Sequence, residues 1–279
     1  MAAPHPLTRR LSVVLPVRDG MPFLHETVDS LLAQTYQDIE IVVSDDFSTD
    51  GTSAYLAGLR DPRLRVIRPP APVGLVEAHR FAVAATATEL VAIIGQDDIA
   101  EPDRLARQVA LLDRDPSLAL VGCWCAMIDG RGARVGSIRY AVSPAEIRAR
   151  IVRNTQVPLP AMVFRRAAYD AVGGFTDECD YAFDYDLVER FARRAAVANV
   201  PEELVRVRYN PVGASITGTR RVQRGALRVR WRALRAGGHP PSEYVWLLKP
   251  LVGLLLPASA MRRITVPYMR WAHRGGNRR

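Results

Sequence analysis

The sequence predicts an α/β fold: a mostly parallel sheet flanked by helices, followed by a helical, basic C-terminal extension. Three observations predict it. Short unbroken apolar runs alternate with stretches of helical spacing as far as residue 115. Two of those runs end directly in acidic turns, Asp45-Asp46 and Asp97-Asp98. The charge is also split, with fourteen Arg or Lys against one acid, Glu243, from Arg220 onward, in a chain whose net charge is only +9.

Length and composition set the frame. A chain of 279 residues suits one large α/β domain or one domain with an appendage. Hydrophobic content of 48% and charged content of 24% are ordinary for a globular protein. Cys123, Cys125 and Cys179 are an odd set without metal-ligand spacing, so they read as reduced and structural. The N-terminus carries no apolar core of signal-peptide length, and no run of 18 apolar residues exists anywhere. The expected location is therefore cytoplasmic, with the inner face of the plasma membrane as a peripheral site.

The elements follow in order. Leu11–Val17 is a continuous β-rich run and the first strand. Arg18-Asp19-Gly20 breaks it, and residues 21–34 place Phe23, Leu24, Val28, Leu31 and Leu32 at helical spacing. Ile39–Val43 is the second strand, running into the acidic turn 44–51. Ser48 and Asp50 are placed to cap a helix starting near Thr52, whereas Asp46 has no such local duty. Leu64–Ile67 is the third strand, before a helix over 73–85. Leu90–Ile94 reads as a strand buried on both faces, with Pro102 at the start of the next helix.

Beyond Gly122 the alternation weakens. Residues 123–136 read as a turn-rich hairpin about Asp129-Gly130. A helix near 144–153, a strand entered through prolines at 157–164 and a helix over 165–172 follow. Gly173-Gly174-Phe175 closes that helix, and another begins at Phe183 with Asp184 in its first turn.

The acidic turns are the candidate chemistry. Both lie at the carboxyl ends of strands in one sheet, where open α/β sheets bind ligands. Adjacent carboxylates repel, and a hard divalent cation bridging to substrate phosphates relieves that cost. Acids at a turn and a helix start are the commoner explanation of an isolated Asp-Asp pair. Asp184 has two readings likewise: interaction with the helix dipole, worth only ~0.3–1 kcal/mol, or a general base at a cleft.

The tail divides in two. Residues 220–235 form a basic helix in which Val222, Ala226, Val229 and Ala233 share a face. Residues 244–257 are apolar but interrupted by Lys249 and Pro250, too short to span a bilayer. Apolar residues beside many arginines suit a membrane interface; packing on the body with solvated arginines is the alternative. Nucleic acid is not an expected partner, because no recognised binding module accompanies the charge.

Taken together, six motifs resemble the family 2 glycosyltransferases and their GT-A nucleotide-sugar fold. They are Val13-Val-Leu-Pro-Val17, Ser30-Leu-Leu-Ala-Gln-Thr-Tyr36, Asp45-Asp-Phe-Ser-Thr-Asp-Gly51, Gln96-Asp-Asp98, Gly173-Gly-Phe175 and Phe183-Asp-Tyr-Asp-Leu187. The resemblance spans residues 11–217. It implies a GT-A domain over 1–218, with a nucleotide-binding half at 10–122 and an acceptor half at 123–218. The tail occupies 219–279.

By that resemblance Pro16, Val17, Arg18, Asp19, Asp46 and Asp97 would contact the nucleoside-diphosphate donor. Asp98 would ligate Mg²⁺ or Mn²⁺, Gly173, Gly174 and Phe175 would border the acceptor, and Asp184 would be the catalytic base. The implied reaction is inverting transfer of a hexosyl or deoxyhexosyl group to a hydroxyl of a lipid-linked or cell-envelope glycan.

Three residues depart from the family pattern. Arg18-Asp19 stands where relatives have Tyr-Asn, and Phe183 replaces a Glu. Asn210 lies where a metal-binding His is frequent. These departures keep open a catalytically silent, nucleotide-sugar-binding member. A nucleotidyltransferase would want a Gly-rich phosphate loop that Arg18-Asp19-Gly20 does not supply.

Overall fold

The computed structural model describes residues 9–209 and 219–255. Among these residues nine strands form one sheet. Its first part is β1 (Leu11–Val17), α1 (Leu24–Leu32), β2 (Ile39–Asp45), α2 (Thr52–Gly58), β3 (Leu64–Ile67), α3 (Leu75–Ala84) and β4 (Leu90–Ile93). Here every pairing is parallel: β2 joins β1 and β3, and β1 joins β4. The side chains of β1 and β4 are buried almost throughout, which is why these strands read as unbroken apolar runs rather than alternating ones. Because β1, β2 and β4 run the same way, the turns after them open on one edge of the sheet.

The second part is mixed. It contains β5 (Ile99–Ala100), α4 (Arg104–Arg114), β6 (Leu118–Ile128), β7 (Arg134–Ile138), α5 (Pro144–Arg150), β8 (Val163–Arg165), α6 (Arg166–Ala171), α7 (Phe183–Arg194) and β9 (Ala196–Arg208). The sheet order is β3-β2-β1-β4-β8-β6-β9-β5, with β7 on β6. β8 is antiparallel to both β4 and β6, and β6 pairs β9 in parallel.

Two expectations change in this half, and the first is the strand read over 157–164, which shortens to β8 behind a 3₁₀ turn at Leu159–Ala161. The hairpin read over 123–136 is present: residues 123–128, with Cys123 and Cys125 fully buried, are the end of β6, and the turn at Asp129 leads into antiparallel β7. The second change is β9, the longest strand at 13 residues, which the sequence pattern does not predict. Pro201, Glu202 and Glu203 interrupt its apolar content while leaving it paired to β6.

The tail helix α8 (Thr219–Arg235) packs on the body through Ala226, Val229, Ala233 and Leu234. These residues share one core with Phe183, Leu187 and Phe191 of α7. The arginines of α8 are not merely solvated. Arg230 is buried and donates to the carbonyls of Val152 and Arg153 at 2.9 and 2.7 Å. A further helix, α9 (Leu248–Leu255), lies against α8, with Gly253 beside Gln223. No helix among the described residues is long and apolar enough to cross a membrane.

Candidate active site

The first wall is the loop after β1. Val17 is buried, and Arg18 is tied to the next turn by its backbone: its N–H donates to Gln96 Oε1 at 2.7 Å and its carbonyl accepts from Gln96 Nε2 at 3.0 Å. Asp19 adopts φ 51°, and its carboxylate accepts from the Thr49 N–H at 2.7 Å. The loops after β1, β2 and β4 are thus stitched together. Pro16 and Val17 lie in register with Ser44 and Asp45, which brings the ends of β1 and β2 level.

Asp45 and Asp46 have different work. Burial pushes the Asp45 carboxyl up, but hydrogen bonds from Ser53, Ser48 and Arg68 outweigh it and hold the group at about 2. Asp46, expected to be without a local duty, has one. Its two oxygens accept the N–H groups of Val73 and Gly74 at 2.9 and 3.0 Å, fixing the entry to α3, and Arg18 Nη1 lies 3.6 Å away. Each carboxylate oxygen accepts more than one hydrogen bond, so this role and donor contact are compatible. The capping expectation holds only in part: Asp50 Oδ1 accepts the Thr52 N–H at 3.1 Å, but Gly51 is the N-cap without a side-chain bond and the Ser48 hydroxyl accepts from the Asp19 N–H instead.

The turn after β4 carries Asp97 and Asp98. The Thr27 hydroxyl of α1 reaches the carbonyls of Gln96 and Asp98 at 3.0 and 2.8 Å, fixing the turn from below. A Cβ on Gly95 would collide with Asp98 Oδ2 and lie 3.5 Å from Asp97 Oδ1, so both carboxylates crowd the same point above the glycine. Burial, then the charge of Asp97, pushes the Asp98 carboxyl up to about 7. Two adjacent acids crowded over one glycine fit a hard divalent cation shared with substrate phosphates. No cluster of three or more His, Cys, Asp or Glu converges among the described residues. Asn210 lies outside the described residues.

β9 supplies what the sequence reading missed. The Arg208 N–H donates to Asp98 Oδ1 at 3.0 Å, and its guanidinium reaches the carbonyls of Asp97 and Asp129 and the Glu26 carboxylate at 2.9 Å. The guanidinium also lies 4.2 Å from the centre of the Phe23 ring. The alternation Leu204-Val-Arg-Val-Arg208 was the available signal for this strand.

Asp184 opens α7 and is half-buried. Burial pushes its carboxyl up to about 6 against the backbone hydrogen bonds of the helix start, and the charge of Asp186 adds to the rise. Desolvation pushes the Tyr140 phenol well up, with Cys125 and Asp184 adding to the rise. Phe183 is buried. It packs against His79 and Phe175 at 5.2 and 5.3 Å between ring centres.

Gly173 and Gly174 take φ values of 85° and 62°, and a Cβ on Gly174 would meet the Tyr169 ring at 2.8 Å. Phe175 is itself buried, so this motif shapes the wall through its backbone rather than through an exposed ring.

Helix α3 joins the two sides. Its start hangs on Asp46, and His79 in its second turn touches both Phe175 and Phe183. His79 donates its Nδ1 proton to the Leu75 carbonyl at 2.8 Å, and burial pushes it down to about 4, so it is neutral near pH 7.

The structure thus combines parallel strands, paired acids in the turn after β4 and a half-buried acid at the start of a separate helix. The family profile described as Glycosyl transferase family 2 matches residues 12–173, and the chain belongs to that family. EpsE of Bacillus subtilis (strain 168), provisionally described as a glycosyltransferase, is 27% identical over 261 residues, covering 91% of this chain and 92% of EpsE. The succinoglycan biosynthesis protein ExoO of Rhizobium meliloti (strain 1021) is 31% identical over 137 residues, covering 49% of this chain and 36% of ExoO.

Solved structures agree on the GT-A fold. Staphylococcus aureus TarS 1–349 in complex with UDP gives a TM-score of 0.67 at 19% identity, over 87% of this chain and 70% of that one. The mannosyltransferase PcManGT from Pyrobaculum calidifontis, in complex with GDP-Man and Mn²⁺, gives 0.66 at 20% identity, over 94% and 82%.

Proposed function

We propose that this glycosyltransferase moves a hexosyl or deoxyhexosyl group from a nucleoside diphosphate to a hydroxyl of a lipid-linked or cell-envelope glycan, with inversion at the anomeric carbon. The observation that carries the reading is Asp184: an acid held half-buried with a proton affinity near neutrality, as a general base requires. The kinship with ExoO, a succinoglycan biosynthesis protein, supports a polysaccharide acceptor. UDP and GDP-Man in the related structures make UDP- and GDP-sugars the first donors to test.

In this reading Pro16, Val17, Arg18, Asp19 and Asp46 hold the nucleoside, and Asp97 and Asp98 face the diphosphate. Asp98, with Asp97 beside it, would hold Mg²⁺ or Mn²⁺, whose positive charge stabilises the departing diphosphate when bound. Asp184 takes the proton from the acceptor hydroxyl as its oxygen bonds to the anomeric carbon and the bond to the diphosphate breaks on the opposite face. General-base help of this kind contributes about 10²–10⁴-fold. Gly173, Gly174 and Phe175 border the acceptor by fixing the wall beside α7.

Attachment to a membrane surface through the tail belongs to the same reading. Val245, Leu248, Leu251, Val252 and Leu255 are exposed in a segment whose surroundings are strongly basic.

The deciding experiment compares wild type with Asp184→Asn on a panel of UDP- and GDP-sugars with Mn²⁺. The variant is expected to bind nucleotide normally and to lose turnover by at least about 10²-fold. Full transfer by Asp184→Asn would remove that residue from the chemistry.

A further inference from the structure

The family match ends at Gly173, yet the helix bearing Asp184 is held from outside the matched region, by the tail. Asp186, one residue beyond the Asp184 neighbour Tyr185, is completely buried and acts as a hub. Its Oδ2 accepts from Arg190 at 2.6 Å and from the Thr176 hydroxyl at 3.1 Å. Its Oδ1 accepts from Arg232 of α8 at 2.5 Å and faces the Cys179 thiol at 3.5 Å. Arg190 continues to the carbonyls of Val172 and Gly174, so the glycine wall hangs on the same group. Arg232 also bonds Glu189 at 2.9 Å, one turn further along α7.

Backbone contact reinforces the grip. A Cβ on Gly225 of α8 would collide with the Cys179 carbonyl and lie 2.8 Å from Ala182, at the turn that leads into Asp184. Arg221 lies 5.9 Å from the Tyr181 ring, and Arg228 bonds the Glu178 carbonyl.

We infer that Arg232 is a positioning residue for Asp184: by neutralising Asp186 and locking α8 to the first turns of α7, it makes the tail a working part of the acceptor side. The inference rests on Asp184 being the base. Asp186 is buried two residues from Asp184, and in a half-dry setting its charge opposes ionisation of Asp184, an effect that adjacent cations offset in part. Arg190 and Arg232 do so from opposite sides, and Glu189 is balanced by Arg193 at 3.6 Å together with Arg232. Other groups around this turn among the described residues are the Tyr140 phenol after β7, neutral His79 of α3 against Phe183, Glu178 beside Cys179, and Arg230 of α8 beside Tyr185.

The test needs no substrate. In the full chain carrying ¹³C-labelled aspartate, the Asp184 carboxyl is assigned by its loss in Asp184→Asn and titrated by NMR. Arg232→Gln, which keeps a hydrogen bond but drops the charge, is expected to raise the Asp184 midpoint by about half a pH unit or more. Arg232→Lys is expected to keep it, and Asp186→Asn to lower it. A mere loosening of the helix would solvate Asp184 and move its midpoint down in all three variants. A midpoint unchanged or lowered in Arg232→Gln overturns the inference, and so does a rise in Arg232→Lys equal to that in Arg232→Gln. Failure of the base assignment is read separately, from transfer by Asp184→Asn.

Discussion

The N–H of Arg208 donates to Asp98 Oδ1 at 3.0 Å, joining the last residue of β9 to the second acid of the β4 turn across 110 residues of chain. The guanidinium of the same residue holds the Asp97 carbonyl at 3.0 Å. The paired acids are therefore set in place by a distant strand as well as by their own turn. Arg208→Ala would strand the Asp97 and Asp129 carbonyls and release Glu26. The expected cost is about 2–4 kcal/mol of stability, read by thermal melting, with weaker nucleotide binding in Mn²⁺ by calorimetry.

Gly95→Ala probes the turn without touching a charge. The added methyl would press on Asp98 Oδ2. Nucleotide affinity in Mn²⁺ should fall by about tenfold or more, since 1.4 kcal/mol suffices for that. Calorimetry that shows wild-type affinity would mean Asp98 does not meet the metal.

Stability should respond to pH in opposite senses at two acids. Asp184 binds its proton more tightly folded, at about 6, than at the ordinary 3.8, so its contribution is full below 3.8 and is lost as pH rises through 6. At pH 7 ionised Asp184 thus costs stability, and Asp184→Asn should gain about 1–3 kcal/mol while losing turnover. Asp45, held at about 2, contributes stability above 3.8 that is lost as pH falls toward 2. Asp45→Asn should lose about 2 kcal/mol at pH 7 and little at pH 2. Melting curves across that range read both signs.

Lipid binding should follow the exposed apolar row. Leu248, Leu251, Val252 and Leu255 are 56%, 41%, 52% and 83% exposed, so replacing all four by Ser leaves the core intact. Wild type is expected to float with anionic liposomes at low salt and the fourfold variant to remain in the bottom fraction. Equal flotation of both would discard the membrane role.

The parallel half was legible because burial on both faces leaves a plain signal: Leu11–Val17 and Leu90–Ile93 can only be strands inside a sheet. The acids at their ends were legible for the same reason. β9 was not, because Pro201, Glu202 and Glu203 lie inside it and break the apolar count, while the parallel pairing to β6 that sustains it is invisible locally. Arg208 was hidden with it. The Asp46 contact to Val73 and Gly74 escaped because it bridges 27 and 28 residues, beyond any local pattern. In the tail, the Val229 and Ala233 stripe was visible, but which surface it covers was not.

The shared core of α7 and α8 has a practical side. Val229 and Ala233 are 0% and 3% exposed against Phe183, Leu187 and Phe191, so cutting the chain ahead of Thr219 would shear through tightly packed hydrocarbon. Such a fragment would be expected to clump, and its inactivity would say nothing about lipids. Anyone seeking a minimal soluble enzyme should retain the chain at least through Leu255.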